Sequence, residues 1–260
     1  MTDPRSSIIN ERTHEINTII AISSGKGGVG KSLVASTLAL ALREKGFRVG
    51  LFDLDFTSPS THLILDIKDV QPVEDKGVVP PETLGLKYMS IVYYSKEHVT
   101  PLRGIDVSNV LIELLSVTRW GKLDFLILDM PPGISDTTLD LIRLIKKMEF
   151  IIVTTPSALA FETVQKLVDL LKNVGVPIKG IIENMKMNNS KSTKSKIEEL
   201  HLKFLEEIPY DLQIEESIGD VDKLMSTAFA NKIRSVATKV AEPALRKEGK
   251  SLIDKHNEQN

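Results

Sequence analysis

A glycine-rich segment near the N-terminus, SSGKGGVGKS at residues 23–32, has the residue types and the spacing of a phosphate-binding loop. Its glycines allow successive backbone N–H groups to turn toward a phosphate, and the helix expected after it adds a positive N-terminus. Lys31 is predicted to neutralise the β- and γ-phosphates of a nucleotide, and Ser32 to place its hydroxyl on Mg²⁺. The alternative is a glycine-rich turn with a chance lysine. The loop residues predicted to bind the nucleotide are Gly25, Lys26, Gly27, Gly28, Val29, Gly30, Lys31, Ser32 and Leu33.

Aspartates follow two other apolar runs of the sequence. Asp53 and Asp55 lie at the carboxyl end of the second predicted strand, and Asp129 ends the run FLILD. Ligands of open α/β sheets bind outside the carboxyl ends of the strands, so these side chains are expected near the phosphate loop. Asp129 is predicted to hold Mg²⁺ through water, and Asp55 to orient the attacking water or complete the metal shell. A loop cap or a solvated turn is the alternative for each aspartate alone, but their occurrence together with the loop favours a site.

The segment MPPG, which directly follows Asp129, is typical of a switch that responds to a bound nucleotide. Its prolines stiffen the turn, and Gly133 is predicted to present a backbone N–H that senses a γ-phosphate. We therefore interpret residues 129–133 as part of the same site.

Short β-type runs alternate with helical stretches along the chain. Near-continuous apolar strands separated by helices predict an α/β fold, with a mainly parallel sheet covered by helices on both faces. A single domain is assigned to residues 17–245, with an N-terminal tail at 1–16 and a charged C-terminal tail at 246–260. Residues 66–85 are predicted to leave the sheet, and residues 186–196, which are basic and rich in serine and asparagine, to form a mobile loop. The strands are predicted at 17–24, 48–54, 87–92, 124–129, 150–155 and 178–183, and the helices at 31–45, 106–118, 136–147 and 159–173.

The composition is that of an ordinary globular chain, with 260 residues and a formal net charge of −2. This charge offers no overall attraction to nucleic acid or anionic lipid, so neither partner is expected. The chain contains no cysteine, which excludes disulfides, thiolate metal sites and a cysteine nucleophile. Its N-terminus lacks the apolar core of a signal peptide, and no apolar run is long enough to span a bilayer. A cytoplasmic location is therefore expected.

Six segments give the chain a resemblance to the Mrp/ApbC family of nucleotide-binding iron–sulfur carrier proteins. This family lies within the deviant Walker A superfamily of MinD, ParA and the nitrogenase iron protein, and the segment DLDFTSPS is similar to its D-A-D-x-x-G-P-S. The resemblance covers roughly residues 15–220 in the same order, and it implies a single-domain P-loop NTPase fold. The segments are GKGGVGKS (25–32), DLDFTSPS (53–60), WGKLDFLILDMPPGISD (120–136), IIVTTPSALAFETVQK (151–166), VPIKGIIENM (176–185) and EEIPYDLQIEES (206–217).

The resemblance implies an ATPase that works as a homodimer, with ATP and Mg²⁺ as cofactors. In this superfamily the lysine that corresponds to Lys26 reaches across the dimer interface to the phosphates of the nucleotide in the other subunit. The alternative is an exposed lysine with no such function. The resemblance also suggests Asn184 and Pro209 as contacts of the nucleotide base. The alternatives are that Asn184 only ends a strand and that Pro209 only forms a rigid turn. The catalytic residues expected on this basis are Lys26, Lys31 and Asp55, and the metal-binding residues are Ser32, Asp55 and Asp129.

One part of the family pattern is absent from this chain. Mrp/ApbC proteins carry C-x-x-C soon after the segment that here reads IENM, and two such pairs bridge an iron–sulfur cluster across the dimer. This chain has MKMNNSKSTKSK at 185–196 and no cysteine, so a cysteine-ligated cluster is not expected. The histidines, which are scattered without metal-ligand spacing, are His14, His62, His98, His201 and His256.

We therefore interpret the chain as a slow ATPase and homodimeric nucleotide switch, linked to the maturation of iron–sulfur or other metal-cofactor proteins. It would act on an unidentified client protein without a cluster of its own. One alternative is a spatial-organising ATPase like MinD or ParA, although the C-terminal LRKEGKSLIDKHNEQN has too few apolar residues for a membrane-binding amphipathic helix. Another alternative is a degenerate module that binds ATP without hydrolysing it.

Overall fold

The structure of the chain, a computed structural model, describes residues 5–95, 104–187 and 190–257. The strands in these ranges are β1 (Ile16–Ser24), β2 (Val49–Asp53), β3 (Val73–Glu74), β4 (Val78–Val79), β5 (Glu82–Thr83), β6 (Leu86–Ser90), β7 (Leu123–Asp129), β8 (Met148–Thr154), β9 (Ile178–Lys186) and β10 (Phe204–Pro209). The helices are α1 (Arg5–Thr13), α2 (Lys31–Glu44), α3 (Thr61–Ile64), α4 (Val92–Ser95), α5 (Gly104–Val117), α6 (Asp136–Leu144), α7 (Ala158–Asn173), α8 (Lys194–Glu199), α9 (Gln213–Ser217), α10 (Val221–Ser226) and α11 (Ala228–Asn257).

Eight of these strands form one sheet in the order β10-β9-β8-β1-β7-β2-β6-β5. Neighbouring strands are parallel except β5, which pairs antiparallel with β6. The register aligns both Ile22 of β1 and Asp53 of β2 with Asp129 of β7. The predicted α/β fold with a mainly parallel sheet is confirmed, and Asp53 and Asp129 lie side by side at its carboxyl edge.

Helices cover both faces of this sheet because successive residues of a buried strand point to opposite sides. In β1, Ile20 and Ile22 belong to the apolar cluster that includes α2 and α11, whereas Ile19 and Ala21 belong to the cluster that includes α5, α6 and α7. All four side chains are fully buried. Burial on both faces explains why the strand reads as a continuous hydrophobic run.

The N-terminal segment, predicted as a tail, contains helix α1. Its Ile9 is fully buried, and Nε of Arg12 donates to the carbonyl oxygen of Ser116 at 3.1 Å. The sequence does not predict this helix because Ile9 is its only buried apolar side chain. At the other end of the chain, α11 continues to residue 257, through most of the segment predicted as a C-terminal tail. Among the helices described, none combines the length and the apolar character that a bilayer-spanning segment needs.

Residues 66–85 leave the sheet only in part. As predicted, β3 and β4 form a separate two-stranded antiparallel pair. The prediction is wrong for β5, which adds an antiparallel edge to the main sheet through Glu82 and Thr83. A two-residue pairing needs no apolar run, so the composition of the segment gives no signal for it.

The basic segment 186–196 contains parts of two regular elements. Lys186 is the last residue of β9, and α8 begins at Lys194, so the prediction of a loop is wrong at both ends of the segment. Residues 188–189 lie outside the described residues. Strand β10 is a further element that the sequence analysis does not predict.

Candidate nucleotide-binding site

The predicted phosphate loop lies between β1 and α2, as its motif requires. Gly28 and Gly30 have φ angles of 76° and 82°, a left-handed conformation that favours glycine. Gly30 is the N-cap of α2, and its carbonyl oxygen accepts a hydrogen bond from the N–H of Val34 at 3.0 Å. A β-carbon at Gly30 would lie 2.4 Å from Nδ2 of Asn184, so the position has no room for a side chain. The loop therefore ends at a helix N-terminus, whose first N–H groups have no intrahelical partner and suit an anion.

The other end of the loop packs against α7. A β-carbon at Gly25 would lie 2.3 Å from Oγ1 and 2.6 Å from the carbonyl carbon of Thr163. The Thr163 hydroxyl donates to the carbonyl oxygen of Ala160 at 2.8 Å, which fixes its position. Gly25 is therefore required for packing as well as for the turn. Sequence reasoning missed Thr163, because nothing in its own segment marks it as a contact of the loop.

Lys31 is nearly buried, with 7% of its surface exposed, and its ammonium approaches both predicted aspartates. Nζ lies 2.5 Å from Oδ1 of Asp129 and 3.8 Å from Oδ2 of Asp55. Nζ also donates to the hydroxyl of Ser32 at 3.4 Å. A buried ammonium requires a negative partner, and Asp129 supplies it. The structure thus brings together four of the residues to which the sequence assigned phosphate or metal chemistry, namely Lys31, Ser32, Asp55 and Asp129.

Asp129 is fully buried at the end of β7. Burial raises the pKa of its carboxyl to about 6, although the Lys31 ammonium acts in the opposite direction. Oδ2 is buried and has no hydrogen-bond partner among the described residues. A buried carboxylate oxygen without a donor fits a divalent cation, held directly or through water. Asp129, the Ser32 hydroxyl and Asp55 are therefore oxygen donors that fit Mg²⁺.

The two carboxylate oxygens of Asp55 have different surroundings. Oδ1 accepts hydrogen bonds from the N–H of Thr57 at 3.1 Å, from its hydroxyl at 2.6 Å and from the N–H of Ser58 at 3.2 Å. Oδ2 is the oxygen that faces Lys31. One oxygen is thus fixed within its own loop while the other is directed at the phosphate loop. This arrangement suits a group that accepts a hydrogen bond from a water molecule beside a phosphate.

Gly133 lies close to the phosphate loop, but its N–H is already used. Its φ angle is 76°, and its N–H donates to the carbonyl oxygen of Ser24 at 2.9 Å. In this structure the acceptor for that N–H is the carbonyl oxygen at the end of β1. A γ-phosphate would have to replace the Ser24 carbonyl, so the sensing function stays a prediction.

Asn184 and Pro209, the residues suggested for the nucleotide base, lie on β9 and β10. Asn184 is buried, and its Nδ2 donates to the carbonyl oxygen of Val29 at 2.9 Å. Its amide therefore holds the phosphate loop in shape, which leaves Oδ1 and one N–H for a ligand. Pro209 is exposed and pairs with Lys186 of β9. Their contacts with the base stay predictions.

Lys26 is exposed on the phosphate loop, next to the exposed Gly27 and Gly28. Its carbonyl oxygen accepts a hydrogen bond from the hydroxyl of Ser24 at 2.9 Å, which anchors its backbone. Exposure of the side chain is what action on a second subunit requires. The function itself stays a prediction.

The segment that follows β9, where the resemblance implies C-x-x-C, is held to this strand by polar contacts. Glu183 is fully buried, and its Oε1 accepts hydrogen bonds from the N–H and the hydroxyl of Thr193 at 2.8 and 2.7 Å. Its Oε2 accepts one from the hydroxyl of Ser192 at 2.9 Å. These hydrogen bonds attach the start of α8 to β9. The sequence analysis does not predict them, because it assigns Glu183 only to the end of a strand.

No set of three or more histidine, aspartate or glutamate side chains that could hold a metal ion occurs in the part of the chain that the structure describes. His98 lies outside these residues, and the chain has no cysteine. The residues present therefore do not fit a cysteine-ligated iron–sulfur cluster. Mg²⁺ is a different case, because one or two carboxylates together with substrate phosphates suffice for it.

Comparisons with protein families and with individual proteins indicate the same class of protein. The family model described as NUBPL iron-transfer P-loop NTPase, of the ParA group, matches residues 15–244. The chain is 40% identical over 174 residues to the iron–sulfur cluster carrier protein of Aquifex aeolicus, an alignment that covers 65% of this chain and 48% of the relative. It is 34% identical over 242 residues to the carrier protein of Haemophilus influenzae, with 87% and 65% covered. The matched region thus spans about half to two thirds of the length of these relatives.

Solved structures show the same architecture. A nucleotide-binding protein from Archaeoglobus fulgidus in complex with ADP superposes with a TM-score of 0.74 at 28% identity, covering 87% of this chain and 96% of that one. The septum site-determining protein MinD from Pyrococcus horikoshii, complexed with Mg-ADP, has a TM-score of 0.68 at 24% identity, with 87% and 97% covered. The second similarity concerns the fold alone. Together they confirm the predicted P-loop NTPase fold.

Proposed function

Because this chain belongs to the NUBPL iron-transfer P-loop NTPases of the ParA group, we propose that it is a Mg²⁺-dependent ATPase of the Mrp/ApbC type. It would act as a homodimeric nucleotide switch in the maturation of iron–sulfur or other metal-cofactor proteins. One observation carries the proposal: Lys31, Asp55 and Asp129 meet at the carboxyl edge of the sheet, beside the glycine loop. A cation for the phosphates and carboxylates for the metal and the water are the parts that phosphoryl transfer requires.

Lys31 is the group that changes partner when a nucleotide binds. Its ammonium contacts Asp129 at 2.5 Å, and we expect it to move to the β- and γ-phosphates. Asp129 then loses its cation and is left with a buried negative charge. Asp129 and the Ser32 hydroxyl would hold Mg²⁺, which when bound neutralises charge on the phosphate oxygens. Asp129 would therefore pair with Lys31 in the nucleotide-free chain and with Mg²⁺ in the nucleotide-bound chain.

Asp55 and Lys26 complete the proposed chemistry. The Oδ2 atom of Asp55 would accept a hydrogen bond from the attacking water and so hold it in line with the γ-phosphate. Lys26 of a second copy would add an ammonium to the charge that develops on the transferred group, at an interface from which water is excluded. ATP binding and dimer geometry would then depend on each other.

Three lysine variants test this assignment. Lys31→Ala is expected to abolish binding of a fluorescent ATP analogue, because it removes the buried cation of the loop. Lys26→Ala is expected to keep binding within about threefold while steady-state hydrolysis falls by about a hundredfold or more. Lys45→Ala, at an exposed lysine beyond the far end of α2, is the matched control and should behave as wild type.

The outcomes separate the parts of the proposal. Tight nucleotide binding by Lys31→Ala would contradict the site itself, and normal turnover by Lys26→Ala would contradict the action across a dimer. Hydrolysis that persists in EDTA would contradict the metal requirement. Light scattering with ATP and with ADP tests the dimer, and a monomer in both states would contradict it. Replacing ATP by GTP tests the base preference, since ATP alone is expected to support turnover.

The cargo is the second part of the proposal. The matched relatives are named iron–sulfur cluster carrier proteins, and two chloroplastic ones are named Fe–S cluster assembly factor HCF101. We propose that this chain acts on a client protein of that pathway without a cysteine-ligated cluster of its own, since it has no thiol. Anaerobic reconstitution with ferrous iron and sulfide should leave less than about 0.1 cluster per chain. Stoichiometric and stable uptake would contradict this part while leaving the ATPase assignment intact.

A further inference from the structure

Asp53, at the end of β2, carries a fully buried carboxylate with four hydrogen-bond donors around it. Oδ1 accepts a hydrogen bond from the N–H of Asp55 at 3.1 Å. Oδ2 accepts bonds from the N–H of Ser60 at 3.2 Å, from the N–H of Thr61 at 3.1 Å and from the Thr61 hydroxyl at 2.7 Å. The carboxylate thus joins Asp55, near the start of the loop 54–60, to Ser60 at its end and to Thr61, the first residue of α3.

A further hydrogen bond, with Tyr88, supports the Thr61 hydroxyl. Oη of Tyr88 lies 2.8 Å from Oγ1 of Thr61, and Tyr88 is itself buried on β6. Because the Thr61 hydroxyl has one proton and gives it to Asp53, Tyr88 must donate to Thr61. Burial raises the pKa of Tyr88, so its hydroxyl keeps the proton that this arrangement requires. Tyr88 of β6 thus donates to Thr61 of α3, and Thr61 donates to the Asp53 carboxylate at the end of β2.

The loop that Asp53 closes contains Asp55. The Oδ1 atom of Asp55 is bound within the loop to Thr57 and Ser58, so the position of its other oxygen, Oδ2, depends on the position of the loop. That Oδ2 lies 3.8 Å from Nζ of Lys31. If the hydrogen bonds of Asp53 were lost, Asp55 would keep its bonds to Thr57 and Ser58. The loop as a whole would no longer be held next to the phosphate loop.

We propose that Asp53 is a positioning residue, which acts through Thr61 and Tyr88 to hold Asp55 at the phosphate site. Both carboxylate oxygens of Asp53 accept hydrogen bonds from residues of its own loop or of α3, so we assign it to holding this loop rather than to the metal. This assignment rests on the proposed function, in which Asp55 orients the water. It separates two aspartates that are two residues apart and read alike in the sequence.

A double-mutant cycle on turnover tests the assignment. Thr61→Val removes the hydroxyl while keeping the N–H and the side-chain volume, and we expect it to lower kcat by about tenfold with KM for ATP changed by less than about twofold. Asp55→Asn should lower kcat more strongly. If Thr61 acts through Asp55, the variant with both substitutions is no slower than Asp55→Asn alone. Tyr88→Phe should give a smaller loss in the same direction.

Thr118→Val is the matched control. Its hydroxyl is also buried and donates to a backbone carbonyl, that of Leu114 at 2.5 Å, but it lies before β7 rather than at the carboxyl edge of the sheet. It should leave kcat and KM at wild-type values. Equal losses in Thr61→Val and Thr118→Val, or losses by Thr61→Val and Asp55→Asn that multiply, would overturn the inference, because both results indicate a general structural effect.

Hydrogen exchange on the nucleotide-free chain provides a readout that does not depend on turnover. The N–H groups of Asp55, Ser60 and Thr61 should exchange at least about tenfold faster in Asp53→Asn than in wild type, while peptides from α7 stay unchanged. Unchanged protection of all three would overturn the inference. A protected loop in a wild-type protein that hydrolyses no nucleotide would instead contradict the proposed function, and the two failures are therefore distinguishable.

Discussion

Replacing Gly25 by alanine tests how the phosphate loop is supported. The added carbon would lie 2.3 Å from Oγ1, 2.6 Å from the carbonyl carbon and 2.7 Å from Cβ of Thr163. Carbon atoms in ordinary contact are about 3.5–4.0 Å apart, so the loop and α7 must separate by about 1 Å. Inserting a methyl group into a packed interior costs about 1–3 kcal/mol, and the backbone on both sides of this contact places Gly25→Ala at the upper end, about 3 kcal/mol. Because the shifted loop also holds the phosphates, nucleotide affinity should fall by about tenfold or more.

Gly27→Ala is the control for this substitution, since it adds the same methyl group to the same loop. The nearest atom to its new carbon would be Cβ of Pro132, at 4.0 Å, and its backbone is not left-handed. Urea unfolding of the nucleotide-free proteins should show a loss of about 0.5 kcal/mol or less for Gly27→Ala. Adding Thr163→Ala to Gly25→Ala should recover only part of the loss, because it removes the hydroxyl contact and leaves the backbone contact. Equal unfolding free energies for the two glycine variants would refute the packing argument.

Three further substitutions test other contacts of the site. Burial raises the pKa of Asp129 to about 6 from 3.8, so the native chain binds a proton more readily than the unfolded chain. The free energy of unfolding should therefore rise by about 1 kcal/mol from pH 7 to pH 5 in EDTA, and Asp129→Asn should remove most of that rise in urea unfolding. Asn184→Ala deprives the Val29 carbonyl of its donor, so nucleotide affinity, measured by fluorescence titration, should fall by about tenfold. Glu183→Gln weakens the bonds to Ser192 and Thr193, so amide exchange across α8 should accelerate while ATP binding is unchanged.

For each of these three substitutions, a different result would contradict the contact on which the prediction is based. A rise in stability toward pH 5 that survives Asp129→Asn would assign the proton to another buried acid, of which Asp53, with its pKa also raised by burial, is one. Wild-type affinity in Asn184→Ala would mean that the loop keeps its shape without the amide. Unchanged exchange in Glu183→Gln would mean that α8 is held by its apolar contacts instead.

The sheet and the phosphate loop could be predicted because their signals are local and strong. Strand β1 is apolar on both faces, and the loop motif stands directly between a strand and a helix. The meeting of Asp55 and Asp129 with Lys31 also followed from a general rule, since parallel strands bring their carboxyl ends to one edge. The predicted strand and helix bounds accordingly lie close to the observed ones in the centre of the chain.

The elements that sequence reasoning missed have weak apolar patterns. Strand β10 has two buried apolar residues, Leu205 and Ile208, separated by Glu206 and Glu207, so it resembles a charged turn more than a strand. It pairs along β9 and packs its two apolar residues into the core beside α11, contacts that its own composition does not predict. Helix α1 likewise depends on a single buried isoleucine.

The details of the site were less predictable than its location. Which acceptor the Gly133 N–H finds and which carbonyl the Asn184 amide binds depend on distances between segments that are remote in the sequence. The same holds for Asp53, whose identity as an aspartate at a strand end does not reveal that protein donors engage both of its oxygens. Residue type therefore indicated where the chemistry is, while the partners came from the fold.

The separation of the contacting residues along the chain has a consequence for the lifetime of the protein. Lys31 and Asp129 are 98 positions apart, and Val29 and Asn184 are 155 positions apart, so the site exists only when most of the sheet has formed. An unfolded or partly folded chain has no such site, and the nucleotide therefore binds only the native state. Free nucleotide at about 100 times its Kd adds about 2.7 kcal/mol to the free energy of unfolding. The cellular nucleotide supply would then determine how much of this protein escapes proteolysis, independently of any hydrolysis.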